Sequence, residues 1–107
     1  MKLIIVTTSE NEAAHLLRAL LEKKLVGCGN ILPSVHSMYW WDGEIQSDRE
    51  SLLLMETTDE KLPSAMAAIE QLHSYDVPKI LALTPAEVNE RYLGWLVDAL
   101  KRNERQL

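Results

Sequence analysis

The chain has no phenylalanine, one cysteine, four glycines and four prolines among its 107 residues. A single cysteine cannot close an internal disulfide, so the fold must rest on its apolar core, and a reducing compartment suits it. Four scattered glycines make no phosphate-cradling loop. The longest strongly apolar runs, such as Leu3 to Val6 and Leu52 to Met55, hold four residues. Spanning a bilayer takes roughly 20. The opening Met1-Lys2-Leu3-Ile4-Ile5-Val6 turns polar at Thr7, too early for the apolar region of a secretory signal. There is no Lys/Arg cluster either. Eleven basic against 16 acidic side chains leave a formal charge of -5, which argues against a surface that tracks nucleic-acid phosphates. No Ser-His-Asp or paired-carboxylate spacing is present to suggest catalysis. What is present is a globular share of hydrophobic residues, 47%, in one domain's length. The expectation is a single domain over residues 1–107: soluble, cytoplasmic and not an enzyme.

The hydrophobic pattern changes period along the chain. Leu3 to Val6 is a short β-branched run that suits a strand buried on both faces. Ser9 and Glu12 have capping-box spacing, and Ala13, Leu16, Leu17, Leu20 and Leu21 then recur as on a helix, predicting one over residues 10–24. Val26 to Pro33 reads as a strand interrupted at Pro33, and Val35 to Trp41 resumes it. Asp42-Gly43 between two strand-like runs is a type I′ hairpin signal. The return strand, 44–58, would be roughly 50 Å long if unbroken, so a bulge is expected near Ser47 to Arg49, or an end projecting past the core. Thr58 or Asp59 is positioned to cap a second helix with Pro63 in its first turn and Leu62, Met66, Ile69 and Leu72 on its apolar face. Val77 to Leu83 reads as the last strand. Asn89 precedes a third helix whose buried side would be Leu93, Leu96, Val97 and Leu100, and a polar tail, Lys101 to Leu107, is expected to fray. The order β-α-β-β-α-β-α predicts an α+β fold, a ferredoxin-like βαββαβ with an extra C-terminal helix and a long β-hairpin.

Few residues carry chemistry. Cys28 is either a soft metal ligand and redox nucleophile or a small buried apolar side chain. His15 falls near the polar side of the first helix and His36 on a strand face. His73 closes the second helix, either as a capping histidine or as a ligand beside Asp76. None has the spacing of a strong zinc motif. Tyr39, Trp40 and Trp41 are consecutive, so a strand would point large rings to both of its faces, which favours a subunit interface.

Several separate segments resemble the CutA family of divalent-cation tolerance proteins: the strand ending Thr7-Thr8, Cys28-Gly29-Asn30-Ile31-Leu32-Pro33, Tyr39-Trp40-Trp41-Asp42-Gly43-Glu44-Ile45, Thr57-Thr58 with Lys61-Leu62-Pro63, Leu72-His73-Ser74-Tyr75-Asp76-Val77-Pro78, and Tyr92-Leu93-Gly94-Trp95. The resemblance implies a ferredoxin-like protomer in a tight homotrimer, an architecture similar to the PII signalling proteins. It implies binding of copper or another divalent cation, with Cys28, His73 and Asp76 as the metal ligands; the acidic balance and the short apolar runs, separately, predict no nucleic acid or membrane as partner. The alternative it leaves open is a PII-like regulator that takes a small molecule or a protein at inter-subunit clefts. The chain departs from the family pattern at Gly29, where Val is usual, and at Ser74, where Pro is usual. Glu56 stands for the usual Lys, and Lys79 for the usual Glu. A Glu56–Lys79 pair would explain the double reversal, but it needs a crossing at the strand ends or contact between subunits.

Overall fold

The computed structural model describes residues 1–101, and the expected fraying of the tail past Lys101 lies outside the described residues. Seven elements follow in order: β1 (Lys2–Thr8), α1 (Ala13–Glu22), β2 (Cys28–Trp41), β3 (Glu44–Thr57), α2 (Leu62–Leu72), β4 (Ile80–Leu83) and α3 (Glu90–Ala99). The four strands form one antiparallel sheet in the order β2-β3-β1-β4, the ferredoxin-like arrangement. Side chains alternate across a strand. Ile4 and Val6 of β1 and Leu53 and Met55 of β3 therefore share one face, and there they bury against Leu16, Leu17 and Leu20 of α1 and Ala65 and Ile69 of α2. The opposite face carries Leu3, Ile5, Leu52 and Leu54, with Leu81 and Leu83 of β4 close to half exposed beside them.

Local chemistry explains where the elements differ from the expectations. Helix α1 is shorter than 10–24 and has no capping box. Glu12 N–H bonds the Ser9 carbonyl at 3.1 Å, so Ser9 to Glu12 make a turn that leaves Glu12 itself at the N-cap with no side-chain cap. The helix ends in a Schellman motif. Lys24 takes a left-handed φ of 55°, its N–H reaches the Leu21 carbonyl at 3.0 Å, and the Leu25 N–H reaches Leu20 at 3.0 Å. Strand β2 is continuous through Pro33. The bulge expected on β3 near Ser47 to Arg49 lies on β2 instead, between Leu32 and Val35, where Ser34 has φ 59°. The proline is tolerated because β2 is an edge strand and the bulge asks no ladder donor of it. The hairpin turn has positive φ at both Asp42 and Gly43, as type I′ requires.

Thr58 supports the entry to α2: its hydroxyl accepts from Lys61 N–H at 3.3 Å and its carbonyl from Leu62 N–H at 3.1 Å. The N-cap itself is Lys61. Asp59 instead pairs with the N-terminal ammonium at 3.0 Å. Strand β4 begins only at Ile80, since Pro78 offers no N–H to extend the ladder. Asn89 caps α3 as expected, its Oδ1 accepting from Arg91 and Tyr92 N–H. Leu96 and Leu100 are buried, Leu93 is partly buried, and Val97 is exposed. Helix α3 docks where Gly27 has no side chain: a Cβ there would stand 2.4 Å from Leu96 Cδ1. No described helix is long and apolar enough to cross a membrane.

Candidate functional site

The polar chemistry collects at the two ends of the sheet, and strand β3 carries one glutamate to each. Glu56 lies at the end near α3. It is the cross-strand partner of Cys28, so the thiol and the carboxylate share one face, with Cβ atoms about 5 Å apart. Docking of α3 on Gly27 brings Tyr92 over this pair, and the Tyr92 hydroxyl donates to Glu56 Oε1 at 2.9 Å. Burial, then the Cys28 thiol, then the Glu56 carboxylate, raises the Tyr92 pKa above the ordinary phenol value. The Tyr92 ring stacks on Trp95 at 5.6 Å. Glu56 Oε2 is buried and has no hydrogen-bond partner. Gly29, next to Cys28, is filled from the other side: a Cβ there would stand 2.4 Å from Leu17 Cδ1. The glycine is the space that Leu17 occupies.

Glu50 lies at the other end, beside the projecting hairpin, and is 6% exposed. The Tyr75 hydroxyl donates to its Oε2 at 2.7 Å. Burial, followed by that carboxylate, pushes the Tyr75 pKa up. Tyr75 is itself held by His73, which is 8% exposed: the two rings meet edge to face at 4.5 Å. His73 Nε2 lies 2.7 Å from the Thr7 carbonyl, which can only accept, so this nitrogen donates. Nδ1 accepts from Tyr75 N–H at 3.2 Å. Further out, the Tyr39 hydroxyl donates to Asp48, and that contact raises the Tyr39 pKa. Between the hairpin and the 75–79 segment is a cleft of about 770 Å³ with Tyr39, Trp41, Glu50, Tyr75, Asp76 and Lys79 among its walls.

The expected metal ligands are therefore not brought together within one protomer. Cys28 stands opposite Glu56, and Glu56 opposite Leu3, whereas His73 bonds Thr7. Four residues along β1 separate those positions, about 13 Å. Both His73 ring nitrogens are already engaged, and Asp76 is exposed on the cleft. Among the described residues, no three of His, Cys, Asp and Glu are grouped to hold a metal ion. His15 is exposed, and His36 is exposed on the hairpin beside Ser47. Nor do Glu56 and Lys79 pair within the protomer. Glu56 is turned to Tyr92 at one end, while Lys79 lines the cleft at the other. Sequence reasoning missed Glu56, Tyr92 and Glu50 as site residues. The alternation of β3 puts both glutamates on the face of Leu52 and Leu54, and that was the available signal.

The family model for CutA1 divalent ion tolerance protein matches residues 2–99. The chain belongs to the CutA1 family. It is 43% identical over 93 residues to the divalent-cation tolerance protein CutA of Thermus thermophilus, covering 87% of this chain and 90% of that one. It is 35% identical over 101 residues to the chloroplastic protein CutA 1 of Oryza sativa, covering 94% of this chain and 57% of that longer one. The crystal structure of the CutA1 divalent ion tolerance protein from Ehrlichia chaffeensis superposes with a TM-score of 0.91 at 30% identity, covering 94% of this chain and 95% of that one. The CutA1 fold is thus shared over nearly the whole chain, including the long hairpin.

Proposed function

We propose that this CutA1-family member is a self-assembling divalent-cation tolerance protein that binds copper or another divalent ion in the cytoplasm without catalysing a reaction. The observation that carries the reading is Glu56 Oε2, a buried oxygen with no partner beside the chain's one thiol. A cation held by Cys28 Sγ and Glu56 Oε2 would satisfy that oxygen. A thiolate favours copper or zinc over harder ions, and the carboxylate adds an oxygen donor. Two protein donors are fewer than the four of a closed structural site, so positions stay open for exchange, which suits transient binding. Tyr92, neutral and hydrogen-bonded to Glu56, fixes the direction of the carboxylate.

Assembly as a homotrimer is supported by surface that a lone protomer leaves bare. Trp40 and Trp41 are 72% and 52% exposed on the hairpin, and Leu81 and Leu83 are exposed on the edge strand β4. Soluble proteins cover such edges and aromatic patches. Calorimetric titration with Cu(II) and Zn(II) tests the cation reading. Saturable binding should weaken about tenfold or more in Cys28→Ser and in Glu56→Gln. It should also weaken as pH falls, because protons compete for the thiolate. Unchanged affinity in both variants overturns the site. Light scattering that gives the 12.2 kDa mass of one chain overturns the assembly.

A further inference from the structure

The Cys28–Glu56 pair does not stand open. Glu56 Oε2 is buried within the single chain, so an ion arriving from solvent cannot touch it in this arrangement. The sheet lies beneath the carboxylate, and Cys28 and Leu3 flank it on the neighbouring strands. The side chain laid over it is Tyr92, whose hydroxyl donates to Oε1 at 2.9 Å. The same hydroxyl is close enough to the Cys28 thiol for that contact to raise the phenol pKa. One hydroxyl thus stands against both donors that a cation needs. Contacts within the chain hold Tyr92 there. Its N–H donates to the Asn89 cap at 3.2 Å, its ring stacks on Trp95 at 5.6 Å, and α3 docks on Gly27 through Leu96. A neighbouring subunit can add to this cover but does not remove it.

We propose that Tyr92 gates the cation site: its hydroxyl latches onto Glu56, and a cation reaches Cys28 and Glu56 only when the ring swings off them. The inference rests on the cation reading of that pair and adds the step that controls access. The swing needs only side-chain torsions, which move between staggered rotamers while α3 stays docked. Once an ion is held by the sulfur and Oε2, the hydroxyl can return to Oε1 and orient the carboxylate as before. A gate and a purely orienting bond leave different kinetic marks. Losing a bond that only orients a ligand speeds release and leaves entry unchanged, so affinity falls. Losing a latch speeds entry and release together, so affinity changes less than either rate.

Tyr92→Phe keeps the ring and removes the latch, and two measurements on the assembled protein test it. The first is stopped-flow mixing with Zn(II), followed through the proton released on binding. Association and dissociation should each be about tenfold faster in Tyr92→Phe, the effect of losing a hydrogen bond to a charged group. The second is alkylation of Cys28 by iodoacetamide with no metal present, which should also be about tenfold faster. Trp95→Ala withdraws the ring stacked on Tyr92 and touches neither donor. It should speed both processes in the same direction, and it carries the test if Tyr92→Phe does not fold. The gate is overturned by an unchanged rate of Zn(II) association or of alkylation in the folded variants, or by faster release alone. If the unaltered protein binds no Zn(II) saturably, the cation reading falls and this inference with it. If it binds Zn(II) and the variants do not change the rates, only the gate falls.

Discussion

Glu56 near the end of β3 and Glu50 at its middle each accept a hydrogen bond from a tyrosine hydroxyl, yet their surroundings differ in kind. Glu56 is half-buried. Helix α3 brings Tyr92 onto it, and one carboxylate oxygen is left without a partner next to a thiol. At Glu50 the space is open, a cleft of about 770 Å³ walled by aromatic rings. The same Tyr–Glu pair therefore offers different chemistry. A thiol beside a half-buried carboxylate offers sulfur and oxygen donors. A carboxylate at a cleft walled by rings offers a charged acceptor beside aromatic faces.

The largest break in this comparison should come from overpacking next to Cys28, on the core face of β2. Gly29→Val would press a side chain into Leu17, and overpacking of this kind costs about 2–3 kcal/mol. Denaturant unfolding should show that loss, and Leu17→Ala added to it should restore part of it. Additive losses in the double variant would mean the two positions do not share the space. A smaller loss is expected from Tyr75→Phe, which strips the buried Glu50 of its one donor, about 1–2 kcal/mol. Tyr92→Phe should cost about 1 kcal/mol, because Glu56 is less buried than Glu50. Equal losses would erase the distinction drawn between the two carboxylates.

Alkali should sharpen the same contrast. Tyr75 and Tyr92 have folded pKa values above the ordinary phenol value of about 10. Their contribution to stability is thus full below about pH 10 and is lost as pH rises through the folded values. Phenolate absorbance should lag behind that of free tyrosine until the protein unfolds, and each Phe variant should remove one lagging group. The smallest effect is expected from Tyr39→Phe. Its Asp48 partner is exposed on the hairpin, so unfolding should be unchanged within error.

Much of the fold was legible in the residue pattern because helices and half-buried strands have different periods. The element order, the Asp42-Gly43 turn and the Asn89 cap follow from local chemistry and reappear in the structure. The length of β3 predicts a bulge near Ser47 to Arg49 or a projecting end, and the structure has its bulge on β2 beside Pro33, with the hairpin projecting. Whether a proline is tolerated depends on which strand lies at the edge, and that is a property of the sheet. The capping box failed for a related reason: Ser9 and Glu12 have the right spacing, but the chain turns between them before the helix begins.

The site was less legible. Residue type marked Cys28, His73 and Asp76 as candidate ligands, and type alone carries no distance. The sheet puts Cys28 and His73 at opposite ends, and the hydrogen bonds of His73 to Thr7 and Tyr75 occupy both ring nitrogens. Glu50 and Glu56 are six residues apart on one strand and face the same way, which alternation alone determines. Which of them meets a thiol and which meets a cleft was decided only by long-range packing. Helix α3 closes on Gly27 at one end, and the 75–79 segment stands off from the hairpin at the other, because contacts between residues far apart in the chain set those gaps.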